Sequence, residues 1–290
     1  MKPLFITTLR VLAVAAFSGF AATVAFAQSY YIDDFSIMKD GGTFFHETFS
    51  EGVLPPVAPS FMCGTPPCYS TNGIFVPADL AGGKLRLDPL GQGVLTTNAI
   101  GTSTLTLSAT LKSSNSNDPL NTSGLKSGST FSVTGIFDLV APGTGQYGIR
   151  LTDSSSGAPG RDVLDLRVID VGAGQMAIRY QVQDFVAGTL SKLQTVNIDP
   201  TGHDQIALVL SHVANIDAIT ASFQYLSVGV LLGAPTVLGT TANIFTDGNI
   251  WTRADFRATA PVPEPETYAL MLAGLSVLGV VARRRQQVTA

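Results

Sequence analysis

The chain has 290 residues, a charged fraction of 13% and a formal net charge of −4, with 29 glycines and only two cysteines. So little charge beside so much Gly, Ser and Thr fits an exported β-protein and argues against a cytosolic helical enzyme. With the five basic and two acidic residues of its ends set aside, 12 Lys and Arg face 19 Asp and Glu, an acidic body that excludes nucleic acid as a partner.

Residues 1–27 read as a secretory signal peptide. Lys2 and Arg10 supply the positive start, and residues 11–22 are apolar apart from Ser18. Ala25 and Ala27 are the small residues that signal peptidase needs for cleavage before Gln28. The folding body is then 28–260, one unit with a sizeable core.

At the start of the body stand Asp33 and Asp34. Hard oxygen ligands of this kind suit Ca2+. They are expected to meet Asp255 of the last strand, provided the first and last strands pair. His46 and Glu47 are adjacent, so in an extended segment their side chains diverge.

Cys63 and Cys68 come next, in Cys63-Gly64-Thr65-Pro66-Pro67-Cys68. An oxidising compartment favours a disulfide between them. So small a loop contributes about 2 kcal/mol, enough to pin a surface loop. Tyr69 beside it is a candidate for stacking on a sugar ring. The Ser-, Asn- and Gly-rich stretch 115–128 reads as a long surface loop.

From residue 131 onward strands dominate the body. Phe131, Val133 and Phe137 alternate with Ser132, Thr134 and Asp138; Tyr147, Ile149 and Leu151 alternate with Gly148 and Arg150. Leu164, Leu166 and Val168 continue the pattern, as do Ile206, Leu208 and Leu210, and then Ile219, Ala221 and Phe223. Period-2 alternation with one polar face predicts half-buried antiparallel strands. Turn clusters such as Ala141-Pro142-Gly143 and Asp199-Pro200-Thr201-Gly202 separate them. The expected fold is all-β, a two-sheet antiparallel sandwich. Its strand spacing resembles the concanavalin-like jelly roll, a fold that hosts binding, cleavage and scaffolding alike.

Catalytic chemistry finds little purchase. A glycosidase needs two carboxyl groups about 5 to 10 Å apart. The only glutamates of the body are Glu47 and Glu51, and no Glu-x-Asp alternation runs along a strand. His46, His203 and His212 read as surface or strand-end residues, and no Gly-x-Ser-x-Gly elbow occurs. Trp251, in the final strand, reads as core. The body is therefore expected to be non-enzymatic, a carbohydrate-binding module or a polysaccharide-active enzyme being the alternatives.

The tail 261–290 has three parts in order. Pro261-Val262-Pro263-Glu264-Pro265-Glu266 cannot be helical and stays open to an enzyme. The apolar run 268–282 predicts a helix about 22 Å long, a short transmembrane span. Arg283, Arg284 and Arg285 hold its end in the cytoplasm.

Val262-Pro263-Glu264-Pro265, the apolar run with Gly274-Leu275, and the Arg cluster together resemble the PEP-CTERM sorting domain. That family belongs to Gram-negative bacteria that make exopolysaccharide. The resemblance implies that an exosortase-type enzyme recognises Pro263, Glu264 and Pro265 and removes the tail. It further implies transient residence in the inner membrane, then the outer surface or extracellular matrix, with exopolysaccharide as a partner.

Overall fold

The computed structural model describes residues 29–51, 68–72, 77–92, 94–97, 103–112, 125, 128–153, 162–184, 189–242, 251–261, 274–276 and 278. In chain order the strands are β1 (Tyr30–Lys39), β2 (Gly42–Glu47), β3 (Cys68–Asn72), β4 (Leu80–Ala81), β5 (Lys84–Leu87), β6 (Val94–Thr97), β7 (Ser103–Lys112) and β8 (Phe131–Asp138). They continue with β9 (Gln146–Asp153), β10 (Asp162–Asp170), β11 (Met176–Asp184), β12 (Thr189–Asn197), β13 (Gln205–His212), β14 (Ala218–Ser227), β15 (Val230–Ala242) and β16 (Trp251–Pro261). One helical turn, Pro89–Gln92, and a 3-10 turn, Pro77–Asp79, lie among them.

Two antiparallel sheets form. The first runs β15-β14-β13-β8-β1-β5-β4, with β2 also on β1; the second runs β12-β11-β10-β9-β16-β7-β3, with β6 also on β7. In each sheet one long strand shares a flank between two short ones. Phe35–Lys39 pair with β2 while Tyr30–Ile32 pair with β5. Neighbours far apart in sequence, such as β1 with β8 and β9 with β16, are the mark of a jelly-roll type of sandwich.

The alternation expected of the strands holds along β8, where Phe131, Val133, Gly135 and Phe137 are buried and the residues between them half-buried. β1 departs from strict alternation. Ile32 and Phe35 are both fully buried with two aspartates between them, and its register on β8 shifts between Ile32 and Asp34. The bulge spends one extra residue so that both apolar side chains face inward.

The sheets meet over a single apolar core. Phe35 of β1 packs edge-on against Phe256 of β16 at 5.2 Å between ring centres. Tyr30 and Tyr147 approach to 4.9 Å, and the hydroxyls of Tyr180 and Thr241 bond across the sheets at 2.8 Å. Each such ring, buried, contributes about 2 kcal/mol. At Gly135 the sheets press close together, since a Cβ there would lie 2.6 Å from Cγ2 of Ile149.

Three expectations need correction. The first and last strands do not pair, because β1 and β16 belong to different sheets. The second sheet is not half-solvated at its centre: residues 163–169 of β10 and 254–260 of β16 are buried on both faces. His212 ends a strand, yet it is buried, its Nδ1 and Nε2 each 2.7 Å from the carbonyl oxygens of Ser129 and Ile216.

Residues 1–28, with Ala25, Ala27 and Gln28, lie outside the described residues, as does Cys63. Cys68 and Tyr69 are described in backbone only, opposite Lys112 and Leu111 of β7, so the expected disulfide and stacking site fall outside them too. The tail motif Val262, Pro263, Glu264 and Pro265 and the cluster Arg283, Arg284 and Arg285 are likewise outside. Of the run 268–282, residues 274–276 and 278 are described, and these are helical. Among the described residues no helix is long and apolar enough to cross a membrane.

Candidate functional site

The alternation that sends Leu164, Leu166 and Val168 of β10 into the core sends Asp165 and Arg167 to the opposite face of the second sheet. Register then chooses their neighbours. Gln181, Asp165, Arg150 and Asp255 lie side by side on β11, β10, β9 and β16. Two residues further along each strand, Arg179, Arg167, Gly148 and Arg257 make a second row. Four of the body's 12 basic residues thus converge on one patch of sheet.

Arg150 grips Asp165 with two parallel bonds, Nε to Oδ1 and Nη2 to Oδ2, both 2.7 Å. Nη2 of Arg167 donates to Asp165 Oδ2 at 3.2 Å and to Gln181 Oε1 at 3.3 Å. The patch is dry: Asp165 is 1% exposed, and Arg167 and Arg257 are 8% exposed.

Positive charge is in excess here. Burial by itself would raise the pKa of Asp165, but the guanidinium groups of Arg150 and Arg167 outweigh it and hold the carboxyl below the usual carboxylate range. For Arg257, burial and then the like charge of Arg150 pull the pKa down. Arg167 is lowered by burial too, with Asp165 opposing and Arg150 and Arg179 adding to the fall. Nε of Arg167, Arg179 and Arg257 has no hydrogen-bond partner among the described residues. Buried donors left over in this way cost stability unless something accepts from them.

Gly148 opens the second row. A Cβ on it would lie 2.1 Å from the Leu166 carbonyl oxygen and 2.8 Å from Cα of Arg167, so the backbone of β10 leaves no place for a side chain at 148. Beside the row a cleft of ≈ 610 Å³ is lined by Gly145, Gln146, Ile169, Asp170, Ala173 and Arg179, among others. Arg179 belongs to both cleft and row.

Chemically this is a place to hold an anion. Asp165, kept ionised between two guanidiniums, is an acceptor and has no proton to give as a general acid.

The structure does not assemble the expected calcium ligands. Asp33 accepts from Nε2 of Gln205 at 2.9 Å, and Asp34 meets Nε2 of His46 at 2.5 Å, both on the first sheet. Asp255 sits on the second sheet in the Arg patch. Among the described residues no group of three or more His, Cys, Asp or Glu is placed to hold a metal ion.

Sequence reasoning passed over the arginines. A signal was present, because each sits between apolar neighbours: Ile149-Arg150-Leu151, Leu166-Arg167-Val168, Ile178-Arg179-Tyr180 and Phe256-Arg257-Ala258.

Among solved structures the chain is similar to a β-glucanase of Bacillus licheniformis, at 11% identity and a TM-score of 0.30, over 59% of this chain and 72% of that one. A likeness at that score carries no argument about fold or activity. A search of curated proteins finds no match. A family model, the PEP-CTERM protein-sorting motif, matches residues 261–286, a span that takes in Pro263, Glu264, Pro265 and all three of Arg283, Arg284 and Arg285. The chain carries a PEP-CTERM sorting signal and, with it, the address of an exported protein handled by an exosortase-type enzyme.

Proposed function

We propose that this is a non-enzymatic surface or matrix protein, sorted through its tail and associated with exopolysaccharide. The match of the sorting motif to residues 261–286 carries the reading. The route has three steps: signal peptidase cuts before Gln28, the tail parks the body outside the inner membrane, and the exosortase-type enzyme cuts at Pro263 to Pro265. Release to the outer surface or matrix follows.

The test is the intact mass of the protein from an exosortase-bearing host. A species starting at Gln28 and ending near the Pro263 to Pro265 element supports the route. A species that retains 268–290 makes the tail a plain anchor and sinks it.

The Arg-lined cleft favours a second, compatible reading, a carbohydrate-binding module with its site on the second sheet. Binding of soluble glycans by the purified protein, with no release of reducing ends, separates that module from a polysaccharide-active enzyme.

A further inference from the structure

The body is acidic overall, yet four of its arginines meet on one patch of the second sheet. Structural ion pairs would need fewer. Among the described residues, the two rows hold the guanidinium groups of Arg150, Arg167, Arg179 and Arg257 beside two carboxylates, Asp165 and Asp255, and Asp165 is already gripped by Arg150 and Arg167. Three Nε–H groups in one row have no acceptor among the described residues, and Gly148 puts no side chain between Arg167 and Arg257. Strands in a sheet lie about 4.8 Å apart, so Arg167 and Arg257 stand about 10 Å apart across β9, a span that one small anionic group can bridge through forked guanidinium donors.

From this we infer that the row Arg179–Arg167–Gly148–Arg257 is a binding site for the carboxylate of an acidic sugar unit in a glycan chain. The choice of a glycan as carrier rests on the exopolysaccharide association proposed above.

The surroundings favour a sugar acid over a phosphate polymer. Gln181 borders the row, and Gln146 and Asp170 line the adjoining cleft, so one anion would be flanked by groups that suit hydroxyls. Asp165, Asp255 and Asp170 stand within or beside the site and would repel a second or third closely spaced negative charge. A uronate chain spaces its charges one per sugar, whereas duplex DNA carries one per about 1.7 Å. Arg179 is half-buried and lines the open cleft, which gives the ligand its entrance.

Isothermal titration of the protein purified from an exporting host is the test. The probes are tetragalacturonate, neutral maltotetraose and inorganic phosphate. Tetragalacturonate should bind, weaken with added salt, and lose about tenfold in affinity in Arg179→Gln, a loss of one charged hydrogen-bonding partner. Arg257→Gln should cost at least as much. Because Arg257 is buried and its loss could disturb the sheet, Arg179→Gln, with its thermal melt as a check, is the deciding variant. Maltotetraose should not compete. Equal binding of maltotetraose, or tetragalacturonate affinity unchanged in Arg179→Gln, overturns the carboxylate site while leaving exopolysaccharide association standing. Phosphate binding without tetragalacturonate binding overturns the glycan assignment. Retention of the tail, read by intact mass, removes the sorting route and leaves the Arg row untouched.

Discussion

Arg150 and Asp165 face each other across β9 and β10, joined by two parallel hydrogen bonds of 2.7 Å on the face of the sheet turned away from the core. The pair is the anchor of the Arg patch, since Asp165 also accepts from Arg167. Remove that carboxylate and three neighbouring arginines, Arg150, Arg167 and Arg257, lose a counter-charge.

Asp165→Asn should therefore destabilise the protein by about 3 kcal/mol at neutral pH, the range for breaking a buried pair on one side. The pH dependence has a definite sign. The folded pKa of Asp165 lies below its unfolded value, so the stability it supplies is present above about pH 4 and is lost as pH falls through the folded value. Urea melts of both proteins should show the full gap at about pH 7 and a narrower one at about pH 2.5. An equal gap at both would mean that Asp165 acts through shape and not through charge.

At the alkaline end Tyr180 matters. Burial pushes its hydroxyl up to about 12, with the bond to Thr241 opposing. A raised folded pKa means that stability is complete below about pH 10 and lost as pH climbs toward the folded value. Tyr180→Phe should cost about 1 kcal/mol at neutral pH, the worth of one buried hydrogen bond, and then lose less than the parent between about pH 10 and 12. Thermal melts at two pH values check this, and parallel decline of both proteins would speak against it.

Between the sheets, Gly135→Ala places a methyl 2.6 Å from Cγ2 of Ile149 and 2.7 Å from Cε2 of Phe137. Overpacking of this kind costs about 1–3 kcal/mol. Combined with Ile149→Ala, the loss should be smaller than the sum of the two single losses, because the second change vacates the space that the first demands. Strict additivity in urea melts would show that the sheets are not pressed together there.

In the tail, replacing Pro263, Glu264 and Pro265 together by alanine should leave the protein unprocessed in an exosortase-bearing host. Intact mass should then include residues 268–290, and the protein should fractionate with the inner membrane. Normal processing of that variant would place the recognition element elsewhere in 261–286.

Much of the architecture is legible along the chain, and the reason is locality. β8, β9, β10, β13 and β14 each declare themselves by alternating apolar and polar residues, which needs nothing beyond a few neighbours to read. β1 is less legible, because its bulge at Asp33 breaks the alternation. The arginines escape notice for a related cause. Arg150 and Arg167 occupy the positions that a half-buried strand gives to solvent, and their partners on neighbouring strands, Asp165 for Arg150 and Gln181 for Arg167, cannot be read along the chain.

By itself the sequence determined the protein's address and its all-β character. The Pro-Glu-Pro tail acts as a linear signal, and period-2 patterning acts strand by strand. Tertiary structure alone decided which strands became neighbours. It set β1 beside β8 and β16 beside β9, parting Asp255 from Asp33 and Asp34 and bringing Arg257 level with Gly148 and Arg167. Such pairings join residues more than 100 positions apart, from Arg257 to Gly148, and their register is set by how two whole sheets bury their apolar faces.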